Sequence, residues 1–498
     1  MNGSILLTID QSTTGTKAIL TNHEGRIVSK LAMPHQQYYP QEGWVEHDPM
    51  ELYHNVKSVI RGVLTQADLS PAEIAGITIT NQRETALIWN RKTGLPEANA
   101  IVWQCRRTAD FCDRLKAEGK EAFVQAKTGL LLDPYFSAAK WRWLLDHHST
   151  DHTIADLMAG TIDSWLLWKL TGGRVHATDY TNASRTQLFN IHTLQWDEEL
   201  AELFGVPLSI LPQVYPSDHL FGRIDEPELF PEGAQIAGVI GDSQGALFGQ
   251  QCIHSGMAKG TFGTGTSILM NVGEKPIQAS GGLVSAIAWG VGGRVEYALE
   301  AIIHSTGDSL NWARDQMGLY RTFEELEEMI TAIPDTGGVY LVPAFVGLGA
   351  PHWNPRARAA FVGMNRSSDR RHLLRATVES IAYQVTDAVR LLERHTGMHL
   401  AELRVDGGAT TNGTLMQLQA DLLNVPVVSS ETAELSALGS AYIGGLALGV
   451  WANEQELASF YRKRQTYIPH MDEEERSRLD KGWQAALKGV LTAEAALN

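Results

Sequence analysis

The pattern of apolar and polar positions predicts a β-hairpin at the start of each half of the chain. Residues Ser4 to Leu20 read SILLTIDQSTTGTKAIL, two apolar runs around a turn of Ser, Thr and Gly, which is typical of a hairpin. Residues Asn22 to Val28 add another turn and a third strand, and Met257 to Val272, MAKGTFGTGTSILMNV, repeats the arrangement. One such unit in each half favours two related domains with a cleft between them. Two unrelated glycine-rich hairpins are the alternative.

Helical periodicity fills much of the remaining sequence. The pattern predicts a helix over Pro49 to Leu64 with Asp48 as its N-cap. It also predicts a long, partly buried helix over Arg371 to Thr396 and a charged helical tail from Glu454 to Leu497.

Short apolar runs between these helices predict strands at Ala75 to Thr80, Val339 to Val342 and Leu403 to Val405. Strands that alternate with helices indicate an α/β architecture. We expect the chain to divide near Gly249 to Ser255, into an N-terminal domain over 1–250 and a C-terminal domain over 251–498.

Composition and charge narrow the class of protein. The 498 residues are 44% hydrophobic and 20% charged, as in globular proteins. A net charge of -16 argues against a nucleic-acid binder. Three cysteines provide no disulfide framework, which favours a reducing compartment. The N-terminus lacks the pattern of a signal peptide, and the most apolar stretch, Ala441 to Trp451, is too short to span a bilayer. We therefore expect a cytoplasmic protein that does not insert into membranes, with that stretch forming a buried helix.

The turn of the first hairpin is a candidate phosphate site. Asp10 ends an apolar strand and opens the turn DQSTTGT. Backbone N–H groups in a turn of small residues are free to point at an anion, and the hydroxyls of Thr13 and Thr14 add donors. A carboxylate beside a phosphate makes sense chiefly when Mg²⁺ lies between them. An ordinary β-turn capped by Asp10 is the alternative.

Two glycine-rich segments in the second half are weaker candidates. Gly263 to Gly265 forms a turn that matches neither a Walker A loop nor a Rossmann fingerprint, and a plain hairpin turn explains it equally well. Leu403 to Asn412, LRVDGGATTN, ends a strand in paired glycines that let a ligand approach, at a strand end where α/β proteins bind nucleotides. A tight connection without a ligand is the alternative.

Several polar and aromatic side chains suit a small hydroxylated substrate. Asp242 follows an apolar strand and suits a general base, or it caps the next helix. Arg83 and Glu84 can hold neighbouring hydroxyls of a polyol as donor and acceptor, or they form a surface ion pair. Trp103 and Tyr135 offer flat apolar faces with polar tips, although a tryptophan is more often a core residue. The histidines show no metal-ligand spacing.

The order of the motifs is more specific than any single one. Taken together, the chain from about Ile5 to Pro469 resembles the glycerol kinases, a branch of the FGGY carbohydrate kinases, in the segments DQSTTGTKA, GWVEHDP, TNQRET, AIVWQCRRT, DPYFSAAK, TDYTNASRT, GDSQGALFG, FGTGT, GLGAP and RVDGGA. This resemblance implies an α/β fold of two actin-like, ribonuclease H-like domains with an interdomain active-site cleft. It implies ATP-dependent phosphorylation of a terminal hydroxyl of glycerol, and a homodimer or homotetramer.

The resemblance also implies a role for individual residues. Asp10 and Asp242 would lie at Mg²⁺, and Asp242 would be the catalytic base. The residues expected to bind ATP are Thr13, Thr14, Lys17, Thr264, Gly307, Gly408 and Asn412. The residues expected to bind the polyol are Arg83, Glu84, Trp103, Tyr135, Asp242, Ser243 and Ser267.

Two positions depart from the glycerol kinase pattern. Ser243 replaces the Gln that normally follows the catalytic Asp, and Ser267 replaces a Phe that lies against the glycerol carbons. Both changes remove bulk from the pocket and place hydroxyl groups there. With glycerol bound, a buried hydroxyl without a partner would weaken binding by about 1–3 kcal/mol. A polyol or ketose of four to five carbons is therefore one alternative substrate. An actin-like ATPase without a small acceptor is a further alternative, against which TNQRE, Trp103 and Tyr135 argue.

Two regulatory features of the family are expected to be absent. Many bacterial members bind fructose 1,6-bisphosphate through a Gly-rich loop with an Arg, but the corresponding residues 225–235 read DEPELFPEGAQ. This acidic segment would repel a bisphosphate, and it carries no His for activation by phosphorylation. The segment Pro469 to Arg476, PHMDEEER, matches only loosely the one that docks a sugar-transport phosphocarrier, which makes that partner doubtful.

Overall fold

A computed structural model of the chain describes residues 5–148, 154–354 and 356–497. Its strands, numbered β1 to β23 in chain order, are Ile5–Gln11, Gly15–Thr21, Ile27–Pro34, Glu46–His47, Ile74–Asn81, Ala86–Asn90, Ala100–Ile101, Leu157–Thr161, Ala177–Asp179, Phe189–Asn190, Gln195–Trp196, Gln213–Tyr215, Leu220–Arg223, Gln235–Gly241, Ala258–Phe262, Thr266–Gly273, Val284–Val291, Arg294–Ile303, Tyr340–Val342, Ala360–Val362, Leu403–Asp406, Val427–Ser430 and Lys463–Tyr467.

The helices, numbered α1 to α15, are Pro49–Ala67, Ala109–Ala117, Glu121–Thr128, Ser137–His148, Ile162–Leu170, Tyr180–Ala183, Glu198–Phe204, Asp242–Gly249, Gly307–Asp315, Phe323–Thr331, Arg370–Thr396, Gly413–Leu423, Leu435–Ala447, Glu454–Ala458 and Glu473–Leu497. Four short 3₁₀ turns lie at Pro71–Glu73, Ile154–Asp156, Leu208–Ile210 and Gly408–Thr411.

Two large sheets follow the same plan. The first has the order β13-β14-β5-β1-β2-β3 and the second β17-β18-β16-β15-β21-β22-β23. In the first sheet, the hairpin β1–β2 pairs antiparallel with β3 on one side and parallel with β5 on the other, and β5 pairs parallel with β14. In the second, the hairpin β15–β16 pairs antiparallel with β18 and parallel with β21, and β21 pairs parallel with β22. The prediction of two related halves is therefore confirmed, and the two hairpins are equivalent parts of them.

Most of the predicted elements are present. Both hairpins form, although Ser4 lies outside the described residues. Helix α1 begins after Asp48, whose carboxylate accepts a hydrogen bond from the backbone N–H of Met50 at 2.8 Å. The apolar stretch from Ala441 to Trp451 is a buried helix only in its first part, because α13 ends at Ala447 and its residues are buried as far as Gly445. In the described residues, no helix is both long enough and apolar enough to cross a membrane.

The prediction of a continuously helical tail is wrong in one part. Between helices α14 and α15 the chain forms strand β23, which pairs antiparallel with β22 at the edge of the second sheet. The strand reads KRQTY and is exposed except at Tyr467. Charged side chains are common on edge strands because they discourage pairing with another chain, and here they concealed the strand in a charged sequence.

Helices α8 and α13 cross at the junction of the two sheets. Helix α8 contacts β5 and β14 of the first sheet and β15, β16 and β17 of the second, and α13 packs on β1, β5 and β14 of the first. Their backbones approach closely because glycines face each other, and a Cβ on Gly439 would overlap the carbonyl oxygen of Gly245. Asp242 is the first residue of α8, so this crossing fixes where its carboxylate lies.

We expect Gly439→Ala to destabilise the fold by about 1–3 kcal/mol, the usual cost of overpacking, and to lower the Tm. Thermal unfolding followed by circular dichroism measures this. The matched control is Gly489→Ala in α15, where a Cβ meets no atom within 4 Å, and which should stabilise by about 0.5–1 kcal/mol through helix propensity. Equal Tm values for the two variants would show that the α8–α13 contact is not tight.

Candidate active site

Polar side chains fix the backbone of the turn between β1 and β2, the first candidate phosphate site. The carbonyl oxygen of Thr13 accepts from Gln37 Nε2 at 2.7 Å and lies 2.9 Å from His35 Nε2. Gln82 Nε2 donates to Gln11 Oε1 at 2.9 Å and to the carbonyl of Ser12 at 3.2 Å. The turn is therefore held by groups outside it, and Thr14 within it is exposed.

His47 contacts two of the side chains that fix this turn, Gln37 and Gln82. Its Nε2 lies 2.7 Å from Gln37 Oε1 and its Nδ1 lies 3.3 Å from Gln82 Nε2. An amide oxygen accepts only, so Nε2 carries the proton and donates to Gln37 Oε1. Burial lowers the pKa of His47 to about 3, which keeps the ring neutral in that tautomer. The sequence interpretation gave no role to this histidine, although it lies in the segment GWVEHDP.

Asp10 lies at the end of β1 with a perturbed carboxyl group. Burial raises its pKa to about 6; the charges of Glu434 and Asp242 add to this, and Lys17 opposes it. Lys17 Nζ lies 3.5 Å from Asp10 and 2.7 Å from Glu434. A carboxylate that is buried near other carboxylates gains from a cation.

The residues present fit a magnesium ion. Asp10 and Asp242 lie near enough for the charge of one to raise the pKa of the other. Among the described residues no group of three or more His, Cys, Asp or Glu side chains forms a metal site. Mg²⁺ in nucleotide enzymes is held by one or two carboxylates, by water and by the phosphates, so two carboxylates beside a phosphate turn are the expected donor set.

Trp103 and Tyr135 lie together beside the same turn. The indole Nε1 of Trp103 donates to the hydroxyl of Thr13 at 2.9 Å. The rings of Trp103 and Tyr135 are tilted, with centroids 5.4 Å apart. Both side chains are partly exposed, so Trp103 is not the fully buried core residue of the alternative interpretation.

A buried lysine fixes the loop that carries Tyr135. Lys140 Nζ donates to the carbonyl oxygens of Pro134, Tyr135 and Phe136 at 2.6, 2.5 and 2.9 Å. The side chain is fully buried. Sequence reasoning missed this residue, although it ends the segment DPYFSAAK.

Arg83 and Glu84 are buried side by side, which excludes a surface ion pair. They are 5% and 1% exposed, and Arg83 Nε lies 3.9 Å from Glu84 Oε1. Glu84 adopts the left-handed backbone conformation, with φ at 62°. That turn brings two neighbouring side chains to one side, as the polyol hypothesis needs.

Two further charged residues complete this cluster, and sequence reasoning assigned a role to neither. Arg185 Nε donates to Glu84 Oε1 at 2.6 Å, and its Nη1 lies 2.7 Å from Glu300 Oε2. Arg83 Nη2 donates to Glu300 Oε1 at 3.0 Å. Arg185 lies in the segment TDYTNASRT, but Glu300 comes from β18, far along the chain, and no local pattern pointed to it.

Asp242 is the most accessible acid of this group. Its side chain is 36% exposed, and Oδ1 lies 3.2 Å from Arg83 Nε. It accepts from the N–H of Ser243 at 2.6 Å, and Gly241, not Asp242, occupies the N-cap position of α8. Ser243 is partly exposed on the same turn.

Ser267 is tied to the buried charges. Its hydroxyl donates to Glu300 Oε1 at 2.8 Å. This polar group is therefore satisfied by the protein, which removes one reason to expect extra substrate hydroxyls at this position.

Three backbone segments of the second half converge near the predicted nucleotide residues. The N–H groups of Thr306 and Asp308 both donate to the carbonyl of Thr264 at 3.0 Å. A Cβ on Gly307 would overlap the carbonyl oxygen of Gly263, and one on Gly407, whose φ is 97°, would overlap that of Phe262. Glycine is required at both positions because two backbones meet there.

The other predicted nucleotide residues lie at the edges of this convergence. Thr264 and Gly408 are exposed. Asn412 caps α12, and its side chain accepts from the N–H of Leu415 at 2.7 Å. Its amide nitrogen is left for other contacts.

Comparison with known proteins identifies relatives of the whole chain. Residues 5–249 match the N-terminal domain, and residues 258–448 the C-terminal domain, of the FGGY family of carbohydrate kinases. A glycerol kinase of Carboxydothermus hydrogenoformans is 49% identical over 98% of both chains. Glycerol kinase 2 of Thermotoga maritima is 47% identical over the same shares.

Solved structures show the same relationship. The structure of Plasmodium falciparum glycerol kinase with ADP matches with a TM-score of 0.91 and 34% identity, over 98% of both chains. A xylulose kinase from Lactobacillus acidophilus shares the fold, with a TM-score of 0.89 and 22% identity over 99% of this chain and 100% of that one.

The buried ammonium of Lys140 predicts a pH dependence of stability. Burial lowers its pKa from 10.5 to about 8, so between these pH values the unfolded chain binds the proton and the folded chain does not. Stability rises with pH wherever the unfolded state binds more protons. We expect the free energy of unfolding of the native protein, relative to Lys140→Met, to rise by about 1 kcal/mol per pH unit above pH 8.

Urea unfolding of both proteins at several pH values from 7 to 9.5 measures this difference. The control is Lys120→Met, at an exposed lysine, which should show no such trend. A difference between native protein and Lys140→Met that is constant with pH would refute the prediction.

Proposed function

Because the chain belongs to the FGGY family of carbohydrate kinases, we propose that it transfers the terminal phosphate of ATP to a terminal hydroxyl of glycerol, giving glycerol 3-phosphate. One observation carries this proposal. An accessible carboxylate, Asp242, lies beside the buried Arg83–Glu84 pair in a chain that is 49% identical to a glycerol kinase over nearly its whole length.

The proposed chemistry needs a base, a means of orienting the polyol and a dry site. Asp242 accepts the proton as the hydroxyl oxygen attacks the terminal phosphorus; the new O–P bond forms, the bond to the bridging oxygen breaks and ADP leaves. Arg83 donates to one polyol hydroxyl and Glu84 accepts from its neighbour. Trp103 and Tyr135 cover the carbon chain and exclude water, which competes as an acceptor.

The two hairpin turns are proposed to hold ATP. Thr13, Thr14 and Lys17 would contact the terminal phosphates, and Thr264, Gly307, Gly408 and Asn412 the rest of the nucleotide. Asp10 and Asp242 would hold Mg²⁺, which supplies charge neutralisation on the phosphates when bound. Phosphoryl transfer depends mainly on such positioning and charge stabilisation.

Other properties follow from the same family membership. We propose that the enzyme is a cytoplasmic homodimer or homotetramer, divided into domains at about residue 250. Fructose 1,6-bisphosphate is not proposed as an inhibitor, because Lys57 and Arg61 near the acidic segment already pair with Glu226 and Glu228, at 2.8 and 3.6 Å.

The substrate is tested by ADP release from Mg-ATP with glycerol, dihydroxyacetone, erythritol, threitol, xylitol, ribitol and D-xylulose as acceptors. We expect glycerol to give the highest kcat/KM. A longer acceptor that wins by about tenfold, or about 1.4 kcal/mol of transition-state preference, would show that Ser243 and Ser267 have redirected the enzyme. Equal ADP release with and without any acceptor would instead indicate an actin-like ATPase.

The role of Asp242 is tested by Asp242→Asn. Loss of a general base costs about 10²–10⁴-fold, so we expect kcat to fall by that factor while the KM for ATP changes little. The matched control is Asp113→Asn, at a side chain that is 71% exposed, and this variant should keep the native kcat. A kcat near the native value in Asp242→Asn would remove that residue from the role of base.

A further inference from the structure

The carboxylate of Glu300 lies between the two buried guanidinium groups of the site. Its Oε1 accepts from Arg83 Nη2 at 3.0 Å, and its Oε2 lies 2.7 Å from Arg185 Nη1. Both arginines come from the half of the chain that forms the first sheet, whereas Glu300 lies on β18 of the second. A single carboxylate from one half therefore sets the positions of two cations from the other.

The cluster is closed to solvent and balanced in charge. The side chains of Arg185 and Glu300 are 0% exposed, and those of Arg83 and Glu84 are 5% and 2% exposed. Burial opposes ionisation of Glu300, but the two guanidiniums prevail and hold its pKa well below the usual range. Removal of one partner from such a group leaves an uncompensated buried charge.

Each arginine that contacts Glu300 also contacts a second acidic residue that takes part in the proposed mechanism. Arg83 binds Glu300 with its Nη atoms and points Nε at Asp242 Oδ1, 3.2 Å away. Arg185 binds Glu300 with Nη1 and donates from Nε to Glu84 Oε1 at 2.6 Å. The orientation of the polyol donor and of the polyol acceptor therefore depends on the same carboxylate.

Without Glu300, the nearest acidic groups to Arg83 are Asp242 and Glu84. The guanidinium would then be drawn into a closer pairing with one of them. Either rearrangement moves the donor that the polyol needs, and pairing with Asp242 also occupies the base.

Ser267, one of the two positions that depart from the glycerol kinase pattern, is also bonded to this cluster. Its hydroxyl donates to Glu300 Oε1, the same oxygen that accepts from Arg83. An apolar residue at this position cannot make that bond. The side chain at position 267 therefore affects the polyol site in two ways. One is its hydrogen bond to Glu300, and the other is the space that it fills.

We propose that Glu300 is a positioning residue for the polyol, which orients Arg83 directly and Glu84 through Arg185, and that Ser267 sets this orientation by its hydrogen bond to Glu300. The proposal rests on the proposed phosphorylation of glycerol. It concerns recognition of the acceptor and not of the nucleotide, and this difference makes it testable.

The test is initial-rate kinetics of Glu300→Gln and Ser267→Ala, with glycerol and ATP varied separately. Loss of a charge-assisted contact predicts at least a tenfold rise in the KM for glycerol in Glu300→Gln. Ser267→Ala removes one hydroxyl-to-carboxylate hydrogen bond and leaves both arginines on Glu300, so we expect a smaller rise, of about threefold to tenfold. In both variants the KM for ATP should stay within about twofold of the native value, since none of the contacts of Glu300 is made to a residue proposed to bind ATP.

A matched control separates positioning from general destabilisation. Glu379 is also buried and ion-paired, at 2.9 Å from Arg375, but lies in α11. Glu379→Gln should lower the Tm and leave both KM values unchanged. If Glu300→Gln does not fold, Ser267→Ala decides the matter, because it alters no charge.

Two results would overturn the proposal. One is a native KM for glycerol in a folded Glu300→Gln or in Ser267→Ala; the other is an equal rise in the KM for glycerol and for ATP. A native enzyme that phosphorylates no polyol would refute the proposed function itself, and this is a separate outcome.

Discussion

Opposite charges buried at the junction of the two sheets constrain the rest of the structure. Arg83 and Arg185 come from one half of the chain and Glu300 from the other, and all three side chains are buried. A buried ion pair contributes little net stability, but it penalises any arrangement that separates its members. The two halves can therefore pack only in registers that keep this cluster intact.

The close crossing of helices α8 and α13 keeps the two halves in an arrangement that preserves the charge cluster. Facing glycines let the helices approach until side chains have no room between them. Helix α8 then presents Asp242 to Arg83, and α13 begins just after Glu434, which pairs with Lys17 beside Asp10. Two carboxylates proposed to act on the same phosphate are thus positioned by one helix pair.

Some features could be predicted because each follows from a pattern in a short stretch of sequence. These are the hairpins, the long helices and the equivalence of the two halves. Asp48 precedes its helix, and the turn of small residues around Thr13 lies between two apolar runs. Strand β23 escaped prediction because its charged sequence reads as a solvent-exposed helix. Glu300 escaped because its partners lie 217 residues away in the case of Arg83, and pairing over such a distance leaves no period or spacing to read.

The residues that hold the candidate site in place were harder to predict than the residues proposed to touch the substrate. Residues proposed to touch substrate fall in motifs with recognisable chemistry, whereas Lys140, His47 and Gln82 act on backbone carbonyls and on one another. Such contacts depend on three-dimensional packing. Ser267 shows the same limit of prediction from sequence. The sequence suggested a polar group without a partner, whereas in the structure its hydroxyl donates to Glu300.

The most direct measurement is a crystal structure of the chain with glycerol and a non-hydrolysable ATP analogue. We expect a terminal glycerol oxygen within about 3 Å of the Asp242 carboxylate, a hydrogen-bond distance, and in line with the terminal phosphorus. The neighbouring hydroxyls should contact Arg83 and Glu84. Glycerol bound elsewhere in the cleft, or a phosphate chain directed away from Asp10 and Asp242, would contradict this expectation.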